Sequence, residues 1–109
     1  MFEVYQSEST RKFHFRLKAG NGEIILTGQG YKAKADCLKG IASVRKNSAN
    51  EGSFETKEAA DGRRYFTLKA TNGQIIGQGQ MYKSDSGLRN GIASIRKNAP
   101  GAGVKDLTA

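Results

Sequence analysis

Alternating apolar and polar positions open the chain. Phe2 and Val4 share one face of Phe2–Gln6, with Glu3 and Tyr5 on the other, and this predicts a short strand. Ser7-Glu8-Ser9-Thr10 is polar and predicts a turn. Phe13, Phe15, Leu17 and Ala19 then alternate with His14, Arg16 and Lys18. That is the pattern of a half-buried antiparallel strand, apolar inward and basic outward. Asn21-Gly22 follows. Both residues tolerate positive φ, so the pair predicts a type I′ hairpin. Ile24-Ile25-Leu26-Thr27 is the returning strand. Its adjacent isoleucines predict contact on both faces, or a kink near Gly28 and Gly30.

The period then changes. After Tyr31-Lys32-Ala33-Lys34, the residues Cys37, Gly40, Ile41 and Val44 recur at helical spacing, with Leu38 beside them. Arg45 and Lys46 fall in the last turn, where cations oppose the negative end of the helix dipole. Asn47 suits the left-handed conformation that ends a helix.

The pattern restarts after residues 49–53. Phe54-Glu55-Thr56-Lys57 matches the first strand, Asp61-Gly62 the first turn, and Tyr65–Ala70 the second strand. Asn72-Gly73 is a second hairpin and Gln74–Gln78 a third strand. Ser84 is a helix N-cap, its hydroxyl available to an orphan N–H. Leu88, Gly91, Ile92 and Ile95 repeat the helical stripe. From Phe15 to Asn47 the second copy repeats 19 of 33 residues, which establishes an internal duplication. Gly40–Asn47 returning as Gly91–Asn98 is its clearest part.

Each copy is therefore β-β-β-α. A unit of about 50 residues is near the lower limit for independent stability, so two copies should share one core. The expected fold is α+β: antiparallel sheet, in one piece or two, with both helices on its apolar side and pseudo-two-fold symmetry. Residues 1–49 form the first repeat, 50–100 the second, and 101–109 a tail expected to be mobile at least as far as Gly103.

Composition narrows the chemistry. With 37% apolar residues a packed core is within reach. No apolar run approaches the ~20 residues that span a bilayer, and the N-terminus lacks the features of a signal peptide. Cys37 stands alone, so no internal disulfide forms, and a reducing cytoplasm is the expected compartment. Its counterpart Leu88 marks it as a buried core thiol. The one histidine, His14, is expected to face outward on a strand. The acidic residues show no metal-ligand spacing, and no nucleophile elbow, P-loop or dinucleotide fingerprint is present. No cofactor and no catalysis are expected. Gly40 and Gly91 stand mid-helix, where glycine costs about 1 kcal/mol against alanine. Close packing against a strand or the other helix is the expected reason.

The net charge is +8, spread over both copies. It brings nucleic acid and other polyanions forward as partners. The candidate contacts are Arg16, Lys18 and Lys69 on the outer sheet face, and Arg45, Lys46, Arg96 and Lys97 at the helix ends. Tyr5, His14 and Tyr65 could stack on unpaired bases. The alternative is a protein-interaction module that uses a sheet edge or the groove between repeats.

Two stretches carry a family resemblance. Leu17–Ile25 and Gly40–Asn47, with Phe66–Ile76, Gln80-Met81-Tyr82 and the closing Val104–Thr108, resemble the tandem YegP-like repeat over essentially the whole chain. The resemblance implies a small bacterial α+β protein made by tandem duplication. Single-repeat relatives would complete the core by dimerising, so a tandem chain is expected to be a monomer. It supplies no catalytic or binding residue.

Overall fold

Three of the four tight turns are built alike. In Ala19–Glu23 the Gly22 amide donates to the Ala19 carbonyl (3.0 Å) and the Ala19 amide to the Glu23 carbonyl (2.9 Å). The Asn21 side chain accepts from the Glu23 amide (3.0 Å). Asp61 and Asn72 do the same at Ala59–Arg63 and Ala70–Gln74. Only the glycine of each turn has positive φ, near 85°. The expected type I′ turn would need it at both central residues. The Asn-Gly pairs instead close a three-residue loop: the Asn or Asp bonds forward and the Gly makes a bulge.

The computed structural model describes residues 1–108. These turns and a longer one join β1 (Phe2–Gln6), β2 (Phe13–Lys18) and β3 (Ile24–Thr27), followed by α1 (Lys34–Asn47). The second copy supplies β4 (Phe54–Glu58), β5 (Arg64–Lys69), β6 (Ile75–Gln78) and α2 (Asp85–Asn98). A final strand, β7 (Val104–Asp106), ends the chain. All seven strands form one sheet in the order β4-β5-β6-β3-β2-β1-β7. Every pairing is antiparallel except β1 with β7. The two copies meet at β3 and β6 through Thr27 and Gln78, which places the pseudo-two-fold between those strands.

Both helices lie on one face. Cys37, Gly40, Ile41 and Val44 are buried in α1, and Leu88, Gly91 and Ile95 in α2, as the periodicity requires. They cover Phe2, Val4, Phe15, Leu17, Leu26, Phe66 and Leu68. The ladder is irregular not at Gly28 and Gly30, where a kink was expected, but between Leu17 and Lys18, and again between Leu68 and Lys69, opposite Ile25 and Ile76. Ser84 caps α2, accepting from the Gly87 amide (3.1 Å). Asn47 is not left-handed. It stays helical and its side-chain amide donates back to the Ser43 carbonyl (2.8 Å), as Asn98 does to Ser94 (2.7 Å).

The mid-helix glycines make room chiefly for the tyrosines of their own repeat, and at Gly40 also for Phe15 of β2, the strand contact that was expected. A Cβ on Gly40 would strike the Tyr31 ring, and one on Gly91 the Tyr82 ring. Gly28 and Gly79 make the same room for Phe15 and Phe66. Phe15 stacks on Tyr31 and Phe66 on Tyr82, each pair with centroids 6.3 Å apart. Each repeat is thus locked by two aromatic rings seated over two glycines, and any side chain there would displace a ring.

The C-terminal segment is a strand where a tail was expected. The Phe2 amide donates to the Gly103 carbonyl and the Leu107 amide to the Val4 carbonyl, both at 2.8 Å. Lys34 pairs with Asp106, and the Arg45 guanidinium donates to the Ala102 carbonyl (2.6 Å). Backbone pairing and two long-range charged contacts outweigh the mobility that Gly101 and Gly103 suggest.

Candidate nucleic-acid interface

The sheet has one helix-covered face and one open face. Strand alternation sends Glu3, Tyr5, His14, Arg16 and Lys18 to the open side in the first copy, and Glu55, Lys57, Tyr65, Thr67 and Lys69 in the second. Cross-strand register then aligns Lys105, Glu3, Arg16, Thr27, Gln78, Thr67 and Glu55 in one row through all seven strands. Opposite charges alternate along parts of that row. Arg16 contacts Glu3 at 2.8 Å and Lys18 contacts the same oxygen at 3.3 Å. Glu55 takes Lys69 at 2.5 Å and Lys57 at 3.4 Å. The Arg16 hydrogen bond, with help from Lys18, holds Glu3 below the usual carboxylate range despite partial desolvation. Lys69 and Lys57 do the same to Glu55. Five cations and two carboxylates occupy the face, so a positive excess remains (Lys105, Arg16, Lys18, Lys57 and Lys69 against Glu3 and Glu55).

Aromatic rings interleave these charges. Tyr5 and His14 stack with centroids 5.5 Å apart and planes 17° apart. The Arg16 guanidinium lies 4.7 Å from the Tyr5 centroid, within cation–π range. At the equivalent level of the second copy Lys57 stands beside Tyr65. Thr67, in the middle of the row, is buried under its neighbours, and its hydroxyl finds no partner among the described residues.

The seven candidate cations do not converge. Arg16, Lys18 and Lys69 share the open face, as expected. Arg45, Lys46, Arg96 and Lys97 belong to the helical layer on the other side. Arg45 is half-buried and already engaged. Besides holding Ala102, its guanidinium sits 5.6 Å from the Phe2 centroid. Arg96 leans toward Glu51 at 3.7 Å. Lys46 and Lys97 are exposed and form no ion pair with another described residue. Lys57 and Lys105, absent from the sequence-based set, lie on the open face. Lys57 was readable from its place in the alternation of Phe54–Lys57. Lys105 was not, because its strand was not foreseen.

Cys37 is buried, and desolvation, with the Asp106 charge behind it, pushes its thiol up to about 11. A thiol so protonated is a poor nucleophile at neutral pH. No cluster of three His, Cys, Asp or Glu capable of holding a metal occurs among the described residues. No helix of the structure is long and apolar enough to cross a membrane.

Comparison with known proteins agrees with this architecture. A domain of unknown function, DUF1508, matches twice, at residues 5–55 and 59–106. The UPF0339 protein PA0329 of Pseudomonas aeruginosa is 53% identical over 95 residues, covering 87% of this chain and 86% of its own length. The UPF0339 protein YegP of Escherichia coli K12 is 50% identical over 107 residues, covering 98% of this chain and 96% of its own. The solution structure of yegP from E. coli, described as a protein of unknown function, superposes with a TM-score of 0.92 at 49% identity, over 99% of this chain and 92% of that one. The UPF0339 protein SO3888 of Shewanella oneidensis gives 0.91 at 44% identity, over 98% and 90%. Two DUF1508 segments meeting in one sheet, with full-length relatives at about half identity, place the chain: it belongs to the UPF0339 family, as a tandem DUF1508 protein.

Proposed function

We propose that this chain is a monomeric, non-enzymatic, cytoplasmic binding module whose open sheet face takes single-stranded nucleic acid. The observation that carries the reading is the stacked Tyr5–His14 pair under the Arg16 guanidinium, on a helix-free face with surplus positive charge. Bases stack on aromatic faces regardless of sequence, and lysines and arginines beside them grip phosphates. An open sheet face suits splayed single strands better than the groove of a duplex. Glu3 and Glu55 fit as well. They hold Arg16, Lys18 and Lys69 in place, and phosphates can compete for those cations.

The test is a titration of labelled single-stranded RNA, single-stranded DNA and duplex DNA at low and near-physiological salt. Binding should favour single strands, and its logarithm should fall linearly with log salt. Tyr5→Ala and Tyr65→Ala should each cost about 1–3 kcal/mol of affinity and leave the salt slope unchanged. Lys18→Glu with Lys69→Glu should flatten the slope. Equal, weak binding of all three nucleic acids that vanishes at physiological salt would sink the reading.

A further inference from the structure

Pseudo-symmetry gives the molecule two equivalent edges, and only one is covered. On the first edge β7 pairs with β1 and reaches α1 through Asp106 and Lys34, its three residues remaining exposed, while Ala99 and Ala102 before it pack on the core. There Phe2, Val4 and Ile41 are fully buried. On the second edge β4 ends the sheet with no strand beyond it. The counterparts Phe54 and Ile92 are half-exposed and Thr56 is exposed. Between β4 and α2 runs an open groove of about 590 Å³. Its lining repeats the covered edge at five positions (Phe54 for Phe2, Thr56 for Val4, Leu88 for Cys37, Ile92 for Ile41 and Arg96 for Arg45) and departs from it at Lys34, whose counterpart is Asp85, so that the cations here are Arg64, which pairs with Asp85, and Arg89.

The covered edge shows what such an edge accepts. An extended segment pairs parallel to the edge strand, and Asp106 engages a cation on the first turn of the helix. By shared register, the backbone groups of Thr56 point off the open edge as those of Val4 point toward β7. The Phe54 amide is already bonded to the Glu51 carbonyl, so pairing would begin after it. Charge chooses the occupant. Arg64, Arg89 and Arg96 rim the groove. Arg64 is tied to Asp85 at 2.6 Å and Arg96 is loosely met by the exposed Glu51. Arg89, where the first copy has Leu38, forms no ion pair with another described residue. A second copy is disfavoured: each chain carries +8 and its own β7 is held in place.

We propose that the β4–α2 groove receives an extended acidic segment of a partner protein by strand addition parallel to β4. An aliphatic side chain of that segment, at the Val104 position, packs toward Leu88 and Ile92. A carboxylate at the Asp106 position meets Arg89 and Arg64. Backbone pairing supplies affinity and the two side chains supply selectivity. The site is separate from the open sheet face, on the opposite side of the sheet.

Fluorescence anisotropy with the full chain tests this, using the labelled peptides AEVKDLE, AKVKKLK and AEVKDPE, the last with proline at the Leu107 position, whose amide pairs with the edge strand. The acidic peptide should bind. The basic one should fail on charge, and the proline one on the lost backbone donor. Ala93→Trp, an exposed position lining the groove, should abolish binding, and Arg89→Glu should weaken it at least about tenfold. Neither should alter nucleic-acid binding, so the two sites fail independently. If Ala93→Trp lowers the melting temperature, Arg89→Glu decides alone. No binding at millimolar acidic peptide, or binding indifferent to both substitutions, overturns the proposal. A dimer in sedimentation that Ala93→Trp dissolves would give the groove to a second copy and overturn it equally.

Discussion

Leu26 occupies the space that Gly77 leaves at the seam between the repeats. The two positions are equivalent in the duplication, yet one carries a fully buried leucine and the other no side chain. A Cβ on Gly77 would stand 3.0 Å from three carbons of Leu26. Near a two-fold axis, equivalent residues compete for one volume, and only one can be large. Gly77→Leu should therefore destabilise by about 1–3 kcal/mol through overpacking. Leu26→Ala should cost about 2–5 kcal/mol through a cavity. The double variant should recover part of the loss, with a coupling of at least about 0.5 kcal/mol in urea denaturation. Strict additivity would show that the contact does not limit the seam.

Arg11 holds the left-handed position of the turn between β1 and β2, with φ 63°. The other three tight turns place glycine at the corresponding point. This turn is one residue longer, and it bonds from the Arg11 amide to the Ser7 carbonyl (2.8 Å). Left-handed backbone costs a non-glycine residue about 1–2 kcal/mol, partly offset by glycine's greater freedom when unfolded. Arg11→Gly should raise stability by about 0.5–1 kcal/mol. Arg11→Val should lower it, because a β-branched residue fits this region worst. A loss on Arg11→Gly would mean that the arginine side chain contributes more than its backbone strain costs.

Hydrophobic period made the repeat legible: the stripe Cys37–Val44 is buried as it predicts, the stripe Leu88–Ile95 is buried except at Ile92, which is half-exposed, and the alternation of Phe13–Ala19 buries Phe15 and Leu17. What stayed hidden depends on contacts remote in sequence. Whether there would be one sheet or two rests on the single pair Thr27 and Gln78, 51 residues apart, in strands too short to announce an edge. β7 is three residues behind a glycine-rich segment, and Lys34, Arg45 and β1 make it a strand. Identical local sequence also concealed a divergence, since Arg-Lys-Asn ends both helices while only Arg45 has a chain segment to hold. Of the candidate residues, alternation located the cations of the open face and the shared motif those of the helix ends, but neither pattern could tell that the two groups lie on opposite sides of the sheet.

That divergence can be measured. Arg45→Ala removes a charged donor from the Ala102 carbonyl and its stack on Phe2. It should cost about 1.5–3 kcal/mol. Arg96→Ala should stay within about 0.5 kcal/mol, as for an exposed residue with a loose ion pair. Equal losses would mean that both arginines act through their helix ends alone.

Cys37 offers a test in alkaline solution. Its thiol is held up to about 11, against an ordinary value of 9.0. The folded state therefore keeps a proton that the unfolded chain releases. The stability this represents is fully present below about 9 and declines as pH rises toward 11. Tyr31 and Tyr82, also raised by burial, add their own alkaline loss. The difference between wild-type and Cys37→Ala unfolding curves across this range isolates the thiol, and it should narrow with rising pH. A pH-independent difference would show that the thiol is not buried in solution. Native protein should also react with a disulfide reagent only as fast as it opens.

β7 should be released by acid, and the sign follows from Asp106. The Lys34 ammonium and then Thr108 hold its carboxyl down to about 2, against an ordinary value of 3.8. A depressed carboxylate binds its proton more weakly when folded, so its stabilising effect is present above 3.8 and lost as pH falls toward 2. The local reporter is the Leu107 amide, which donates to the Val4 carbonyl only while β7 is docked. On acidification its protection from hydrogen exchange should fall before that of amides at the β3–β6 seam. Asp106→Asn should lose that acid sensitivity and show weaker protection already at neutral pH. Lys34→Met should do the same, because it removes the cation that depresses the carboxyl. Were Leu107 to lose protection in step with the seam, β7 would be an inseparable part of the sheet, and the Lys34–Asp106 pair would not set its attachment.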